Sequence, residues 1–251
     1  MHTARNILLS LSLKYNGHWP SIYKAMKEKE SLPDAFIDNA LDSLPEGINF
    51  ITIIDDDYPQ SLKGAKFPPF VIFYRGNPDM LLSLAEFGVG IFGNLIWDEH
   101  KDNQALTTNS DMTVIYSWLS DGSVADAIKA KRTIYIGRSM EEADNVNADL
   151  VISESLLNNT ADDDLVTGFT YRLLFNLPSN ILFVGCKRFK DIVVGIGMLS
   201  NSDASVYSLA TVKETTTNYK LIHDANAFSI SNIDGIVDPD NRSDTDVVVD
   251  A

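Results

Sequence analysis

Cysteine is almost absent from this sequence: Cys186 is the only one in 251 residues, so no disulfide can form within the chain. Such a composition is typical of proteins kept in a reducing compartment, and we expect a cytoplasmic location. Long apolar runs are missing too, and the short one near the start lacks the cleavage site of a signal peptide. The four histidines are scattered, without the spacing that a metal site requires. We therefore expect neither a membrane segment nor a metal.

Basic residues are also scarce. Lys and Arg number 20 against 35 Asp and Glu, which gives a net charge of −15 at pH 7. A protein that neutralises phosphates over a broad face needs clustered Lys and Arg, so this composition argues against extensive nucleic-acid binding. The sequence lacks a serine-hydrolase elbow and a P-loop, and Cys186 has no neighbouring histidine to activate it. A non-enzymatic protein without a cofactor is predicted.

Short apolar runs are what the sequence has in quantity. After residue 47 they read INFITII, FVIFY, GVGIF, MTVIYSW, RTIYIG, ADLVISE, NILFVG and ASVYSLAT. Nearly continuous apolar runs are typical of parallel strands buried on both faces. Stretches long enough for crossover helices lie between them, as at 123–130 and 164–175. The pattern predicts an α/β fold with a doubly wound, mostly parallel sheet.

The two ends of the chain differ from this central part. Residues 5–44 have helical periodicity in three short segments, which predicts a small N-terminal helical domain over 1–46 that packs on the next part of the chain. The sheet domain is then expected over 47–237. Residues 238–251 are acidic, and we expect them to be disordered unless docked.

The stretch FGVGIFGNL contains the spacing G-x-G-x-x-G at Gly88, Gly90 and Gly93. In a dinucleotide-binding loop these glycines lie in the turn after the first strand. Here Gly88 and Gly90 fall inside the predicted strand GVGIF. The spacing therefore does not indicate a binding loop for a nicotinamide dinucleotide. Gly93 lies at the turn, where backbone N–H groups could face an anion. The alternative is a strand-to-helix turn that simply needs an unhindered backbone.

A more specific pattern covers residues 55–81, DDDYPQSLKGAKFPPFVIFYRGNPDML. It has the order Asp-x-x-Tyr-Pro-x-x-Leu, two prolines, an apolar strand ending in Tyr-x-Gly-Asn, and a Leu. The matching positions are Tyr58, Pro59, Leu62, Pro68, Pro69, Tyr74, Arg75, Gly76, Asn77 and Leu81. This run resembles the DNA-processing protein A family, also called DprA or Smf.

Four later segments extend the resemblance to about residues 5–237. VGIFGN stands where the family has its first Rossmann strand, and ADLVISES resembles the family's Leu-Leu-Ser-Glu, with Ser153 and Glu154 in place. The other two are YRLLFNLPSNILFVG and TTNYKLIHDANAFSISNIDGI. The resemblance implies an extended Rossmann domain after a helical domain. It also implies single-stranded DNA binding, a RecA-type recombinase partner, a homodimer, and neither catalysis nor a metal.

The sequence departs from the family in the loops expected to touch DNA. Asn94 and Leu95 replace a Ser and an Arg, Trp118 replaces a glycine, and the basic Arg-Asn-Arg becomes TYR, which keeps only Arg172. Glycines let a phosphate approach the backbone and arginines attract it, so these changes point to altered or lost DNA binding on a retained scaffold.

Two sets of candidate site residues remain. The nucleic-acid-binding set is Arg172, Lys187, Arg188 and Lys190, with Arg138 after another strand; the phosphate-loop set is Gly93, Asn94, Ser117 and Gly122. Strand ends of an open α/β sheet are where ligands bind, so these residues are expected to form a small basic rim. The alternative for the cations is a solvated loop. Trp118 and Phe189 could stack on bases, although such aromatics more commonly pack in the core.

Three functions stay open at the level of sequence. The first is weak single-stranded DNA binding with a recombinase partner. The second is an acidic protein-interaction or decoy module on a scaffold that has lost DNA binding. The third is a nucleotide or phosphorylated ligand at Gly93 and Gly122.

Overall fold

A computed structural model describes residues 2–93, 105–120, 122–158, 163–186, 203–209 and 226–236, with residues 193, 197 and 223. The helices are α1 (Ala4–Lys14), α2 (Trp19–Lys27), α3 (Asp34–Asp38), α4 (Gln60–Lys63), α5 (Leu84–Phe87), α6 (Gly122–Ala127) and α7 (Asp163–Asn176), with 3-10 turns at Pro78–Leu81 and Ile233–Ile236. The strands are β1 (Asn49–Thr52), β2 (Val71–Gly76), β3 (Gly88–Gly93), β4 (Thr113–Ser117), β5 (Arg132–Ile136), β6 (Leu150–Ser153), β7 (Asn180–Gly185), β8 (Ser205–Leu209) and β9 (Phe228–Ile230).

The described strands form one sheet in the order β1-β2-β6-β5-β4-β3-β7-β8-β9. The seven strands from β6 to β9 are mutually parallel, whereas β2 runs antiparallel to both β1 and β6. From the central strand β3 the chain proceeds outward through β4, β5 and β6, then returns to the other side of β3 with β7. The strand order therefore reverses between β3 and β7. The predicted α/β fold with a mostly parallel, Rossmann-like sheet is confirmed.

All eight apolar runs identified in the sequence contain a strand, and both expected crossover segments contain a helix. The three-residue strand β9 was not predicted. Its parallel pairing with β8 supplies the hydrogen bonds that so short a segment needs to persist as a strand.

Helix α7 packs across the centre of the sheet. Phe92 of β3 lies 5.4 Å from Tyr171 and 5.0 Å from Phe175, measured between ring centroids, both edge-to-face. Gly90 permits this approach, because a Cβ there would lie 2.9 Å from the Leu174 carbonyl oxygen. A Cβ on Gly88 would lie 2.5 Å from the Leu84 carbonyl oxygen. The first two glycines of the G-x-G-x-x-G spacing thus lie inside β3, as expected, and serve packing.

The three N-terminal helices share a small apolar cluster of their own and also pack on the sheet. Their own cluster comprises Leu11, Ile22, Ala25, Leu32 and Ile37. A second cluster joins Leu8 and Leu9 of α1 to the strands through Phe50, Val71, Phe73 and Val151. The helices therefore pack on the sheet that comes after them in the chain. Their division into a separate domain over 1–46 stays a prediction, and residues 238–251 lie outside the described residues.

The turn between α1 and α2 docks on the segment that comes after β6. The Asn16 side chain accepts a hydrogen bond from the Leu157 N–H at 3.0 Å and donates one to the Leu157 carbonyl at 2.7 Å. Gly17, at φ +74°, lies so close to Glu154 that a Cβ would be 2.1 Å from its carbonyl oxygen. This docking fixes the helical segment beside the carboxyl end of β6.

Candidate functional site

The carboxyl ends of β3 and β7 meet where the strand order reverses. Gly93 pairs with Gly185 across a register shift, and both have left-handed backbones, with φ of +123° and +100°. A Cβ on Gly93 would lie 2.3 Å from the Gly185 carbonyl oxygen, so only glycine fits there. In open α/β sheets the crevice at such a reversal is the usual place for a ligand. Here the two strand ends meet backbone to backbone.

The end of β4 provides the next part of this edge. Ser117 is buried, and its hydroxyl accepts a hydrogen bond from the Leu119 N–H at 3.3 Å. The hydroxyl thus stabilises the turn that leaves the strand. Gly122 begins the short helix α6. Binding of a phosphate by Gly93, Ser117 and Gly122 stays a prediction, and Asn94 lies outside the described residues.

Trp118 and Arg138 come together beside this turn. The Trp118 indole N–H donates to the Thr170 hydroxyl of α7 at 2.8 Å, which fixes the ring. The Arg138 guanidinium carbon lies 5.4 Å from the Trp118 ring centroid, within cation–π range. Both side chains are partly exposed. Arg138 and Trp118 were each considered from the sequence, but Thr170 was missed, because a hydroxyl on an apolar helix face gives no signal of its partner.

Arg172 occupies a different environment from the exposed rim predicted for it. Its side chain is 5% exposed and forms an ion pair with Glu154, whose side chain is 6% exposed. The guanidinium also donates to the Phe67 carbonyl and lies 4.7 Å from the Phe169 ring centroid. The predicted location is therefore wrong: Arg172 lies beneath the surface, because Glu154 and the Phe67 carbonyl hold it there. A direct DNA contact by Arg172 stays an untested prediction.

The Glu154–Arg172 pair is an electrostatic feature of the interior. Burial raises the pKa of Glu154, and the neighbouring guanidinium opposes that rise. Tyr58 lies nearby with its hydroxyl donating to the Pro69 carbonyl at 2.7 Å, and burial raises its pKa, so it remains a protonated donor. These groups belong to the framework under the edge.

The other predicted cations, Lys187, Arg188 and Lys190, lie outside the described residues, as does Phe189. In the sequence they come after β7 and Cys186, so the chain enters this segment directly from the strand-order reversal. Within the described part of the chain, no three His, Cys, Asp or Glu residues are grouped to hold a metal ion. The described helices include none that is both long and apolar enough to cross a membrane.

Comparison with solved structures identifies the architecture. The X-ray structure of DNA processing protein A (DprA) from Streptococcus pneumoniae matches with a TM-score of 0.61 at 13% identity, covering 95% of this chain and 99% of that one. The chain has the DprA fold. A second DprA, from Helicobacter pylori, matches with a TM-score of 0.60 at 15% identity, covering 76% of this chain and 95% of that one. By sequence, no family model and no curated protein matches.

The residues that suggested DprA from sequence have framework roles in this fold. Gly76, with φ of +112°, lies so close to β6 that a Cβ would be 2.1 Å from the Asp149 carbonyl oxygen. The Asn77 side chain accepts from the Asp79 N–H at 3.1 Å and caps the following 3-10 turn. Together with Tyr58 and the Glu154–Arg172 pair, these contacts stabilise the framework of the fold.

Proposed function

We propose that this protein is a non-enzymatic, cytoplasmic single-stranded DNA-binding protein that acts at the carboxyl edge of its parallel strands. The DprA fold across 95% of the chain is the observation that carries the proposal. The H. pylori DprA structure is described in terms of a single-stranded DNA binding mode. The strand-order reversal between β3 and β7, where Gly93 and Gly185 leave the strand ends without side chains, supports the same edge as the binding surface.

Residues at these strand ends and in the sequence directly after them have the chemistry that single-stranded DNA requires. Lys187, Arg188 and Lys190 would neutralise phosphates as the chain leaves β7. Gly93 would let a phosphate approach the backbone. Trp118, fixed by Thr170 and covered by Arg138, would stack on a base.

The binding is expected to be weak. The net charge of −15 repels a polyanion over most of the surface. Arg172 is neutralised by Glu154 and contributes little outward field. We expect micromolar affinity at low salt, which would make this a degenerate site with reduced DNA binding.

Fluorescence anisotropy with a labelled oligonucleotide of about 30 nucleotides tests this proposal, because phosphate contacts make single-strand binding salt-dependent with a slope of about −0.7 per contact. Combined alanine substitution of Lys187, Arg188 and Lys190 should lower the slope by about 2. The matched control is the pair Lys129→Ala and Lys131→Ala, exposed lysines at the opposite edge of the sheet. Absence of wild-type binding at tens of micromolar protein would overturn the proposal.

The resemblance to DprA extends the proposal to two partners, a RecA-type recombinase and a second copy of the chain. Sedimentation of the protein alone and with such a recombinase would test both. A monomer at all concentrations, with no co-sedimentation, would remove them without affecting DNA binding.

A second candidate function is favoured by the charge. Thirty-five acidic residues on this scaffold suit an interaction or decoy protein that holds a basic partner in place of DNA. Recovery of a protein partner in crosslinking, with no oligonucleotide binding, would favour this alternative.

A further inference from the structure

Four aromatic rings cluster where α2 meets the segment before β2. Trp19 stacks on Tyr23, with centroids 5.0 Å apart and planes 8° apart, and on Phe70 at 5.3 Å and 16°. Phe67 meets Trp19 edge-on at 5.1 Å. Trp19 and Phe70 are partly buried between the two elements, whereas Tyr23 is 48% exposed and Phe67 47% exposed. The cluster thus exposes the rings of Tyr23 and Phe67 to solvent, and the partly buried rings of Trp19 and Phe70 support them.

The backbone that carries Phe67 is held at three consecutive carbonyls. Arg172 donates to the Phe67 carbonyl, the Trp19 indole N–H to that of Pro68 at 2.8 Å, and the Tyr58 hydroxyl to that of Pro69 at 2.7 Å. Two prolines with fixed φ add stiffness. The exposed ring is therefore preorganised, which lowers the entropy lost when a ligand binds it. Arg172 thereby acts as a positioning residue for Phe67.

The two segments that carry these rings have a net charge opposite in sign to that of the whole chain. Residues 19–29 and 60–70 contain five lysines and a single acidic residue, Glu28, in a protein of net charge −15. The Lys66 ammonium lies 5.7 Å from the Phe67 ring centroid. Lys27 is exposed and lies one turn of α2 after Tyr23. Flat rings beside ammonium groups complement bases linked by phosphates.

The cluster also lies at the same edge of the sheet as the crevice. Strand β2 is antiparallel to β6, with Phe73 opposite Ser153 and Gly76 opposite Leu150. The segment that precedes Val71 consequently extends past the carboxyl end of β6.

We propose that Tyr23 and Phe67 form a second, aromatic subsite for single-stranded DNA, on which bases stack while Lys27 and Lys66 contact phosphates. This rests on the proposed function, because the same DNA strand would continue to these rings from the carboxyl ends of β3 and β7. The subsite is carried by α2 and the 64–70 segment, away from the strand ends that form the crevice.

The test is anisotropy with the full chain and a labelled oligothymidine of about 30 nucleotides. Phe67→Ala and Tyr23→Ala should each weaken binding about fivefold or more, since a stacked base contributes about 1–3 kcal/mol. The dependence of affinity on salt should keep its slope, because no phosphate contact is lost. Lys27→Ala with Lys66→Ala should instead lower that slope by about 1.4. Phe67→Trp and Tyr23→Phe should retain binding.

Phe87→Ala is the matched control, since Phe87 is 50% exposed and precedes β3 at the opposite edge. Unchanged thermal unfolding of each variant would show that lost binding is not lost folding. An iododeoxyuridine-substituted oligonucleotide should crosslink to the peptide carrying Tyr23 or Phe67. Wild-type binding that both alanine variants preserve would overturn the subsite alone, whereas absence of wild-type binding would overturn the proposed function and the subsite together.

Discussion

At the scale of single residues, the Glu154–Arg172 pair has the largest expected effect on stability. Glu154→Gln would leave the buried guanidinium without its counter-charge, and such a loss costs about 3–5 kcal/mol. Urea denaturation should show this decrease in the free energy of unfolding.

Two variants control this measurement. The double substitution Glu154→Leu with Arg172→Met removes both charges, and it should lie within about 1–2 kcal/mol of the wild type. Asp111→Asn breaks the exposed Lys131–Asp111 pair and should have a far smaller effect. A Glu154→Gln protein as stable as the wild type would contradict a buried, paired Arg172.

The burial of Arg172 could not be predicted from the sequence. From the sequence, Arg172 was placed at a basic rim because ligands bind at the strand ends of an open α/β sheet. Its burial depends on a carboxylate 18 positions earlier and on a carbonyl 105 positions earlier. Glu154 comes after β6, Arg172 lies on α7 and Phe67 precedes β2, so no pattern within one element could reveal these contacts.

At the scale of elements, the turn between α1 and α2 determines how the helical segment meets the sheet. Gly17→Ala would force a side chain into left-handed backbone and against the Glu154 carbonyl. The backbone strain alone costs about 1–2 kcal/mol, and displacement of the turn should raise the total above about 3 kcal/mol. Thermal unfolding and limited proteolysis of the helical segment would measure the effect.

Gly47 provides a matched control for this substitution. It has nearly the same φ, +77°, but an added Cβ would meet nothing within 4 Å. Gly47→Ala should therefore cost only the backbone term of about 1–2 kcal/mol. Equal losses in the two variants would mean that the contact with Glu154 is unimportant.

The elements themselves were largely predictable, because buried parallel strands carry continuous apolar runs that end at glycine or polar residues. Eight of them were found in this way. The strand β9 was not, because FSI is too short to show a period and depends on its partner β8. The antiparallel pairing of β2 with β6 could not be predicted from the sequence either. The position of the 64–70 segment beside the strand ends follows from that pairing and therefore could not be predicted.

At the scale of the whole molecule, salt should act in opposite directions on stability and on DNA binding. Raising ionic strength from about 0.01 M to about 0.1 M shortens the Debye length from about 30 Å to about 10 Å and screens the repulsion among 35 acidic side chains. We expect a stabilisation of about 1 kcal/mol, or about 2–4 °C in Tm.

Oligonucleotide affinity should fall over the same range. Sucrose at equal osmolality would separate screening from general solute effects. A Tm that falls with added salt would indicate that specific ion pairs, rather than the net charge, dominate the electrostatics of the fold.

The buried Glu154–Arg172 pair also restricts which substitutions can accumulate during evolution. Since either charge alone is costly in that position, mutations at 154 and 172 cannot be accepted independently at low cost. Lineages that descend from a common ancestor with this protein should keep both residues or lose both together. An alignment in which many relatives retain an arginine opposite a neutral residue would show that other groups can take over the role of Glu154.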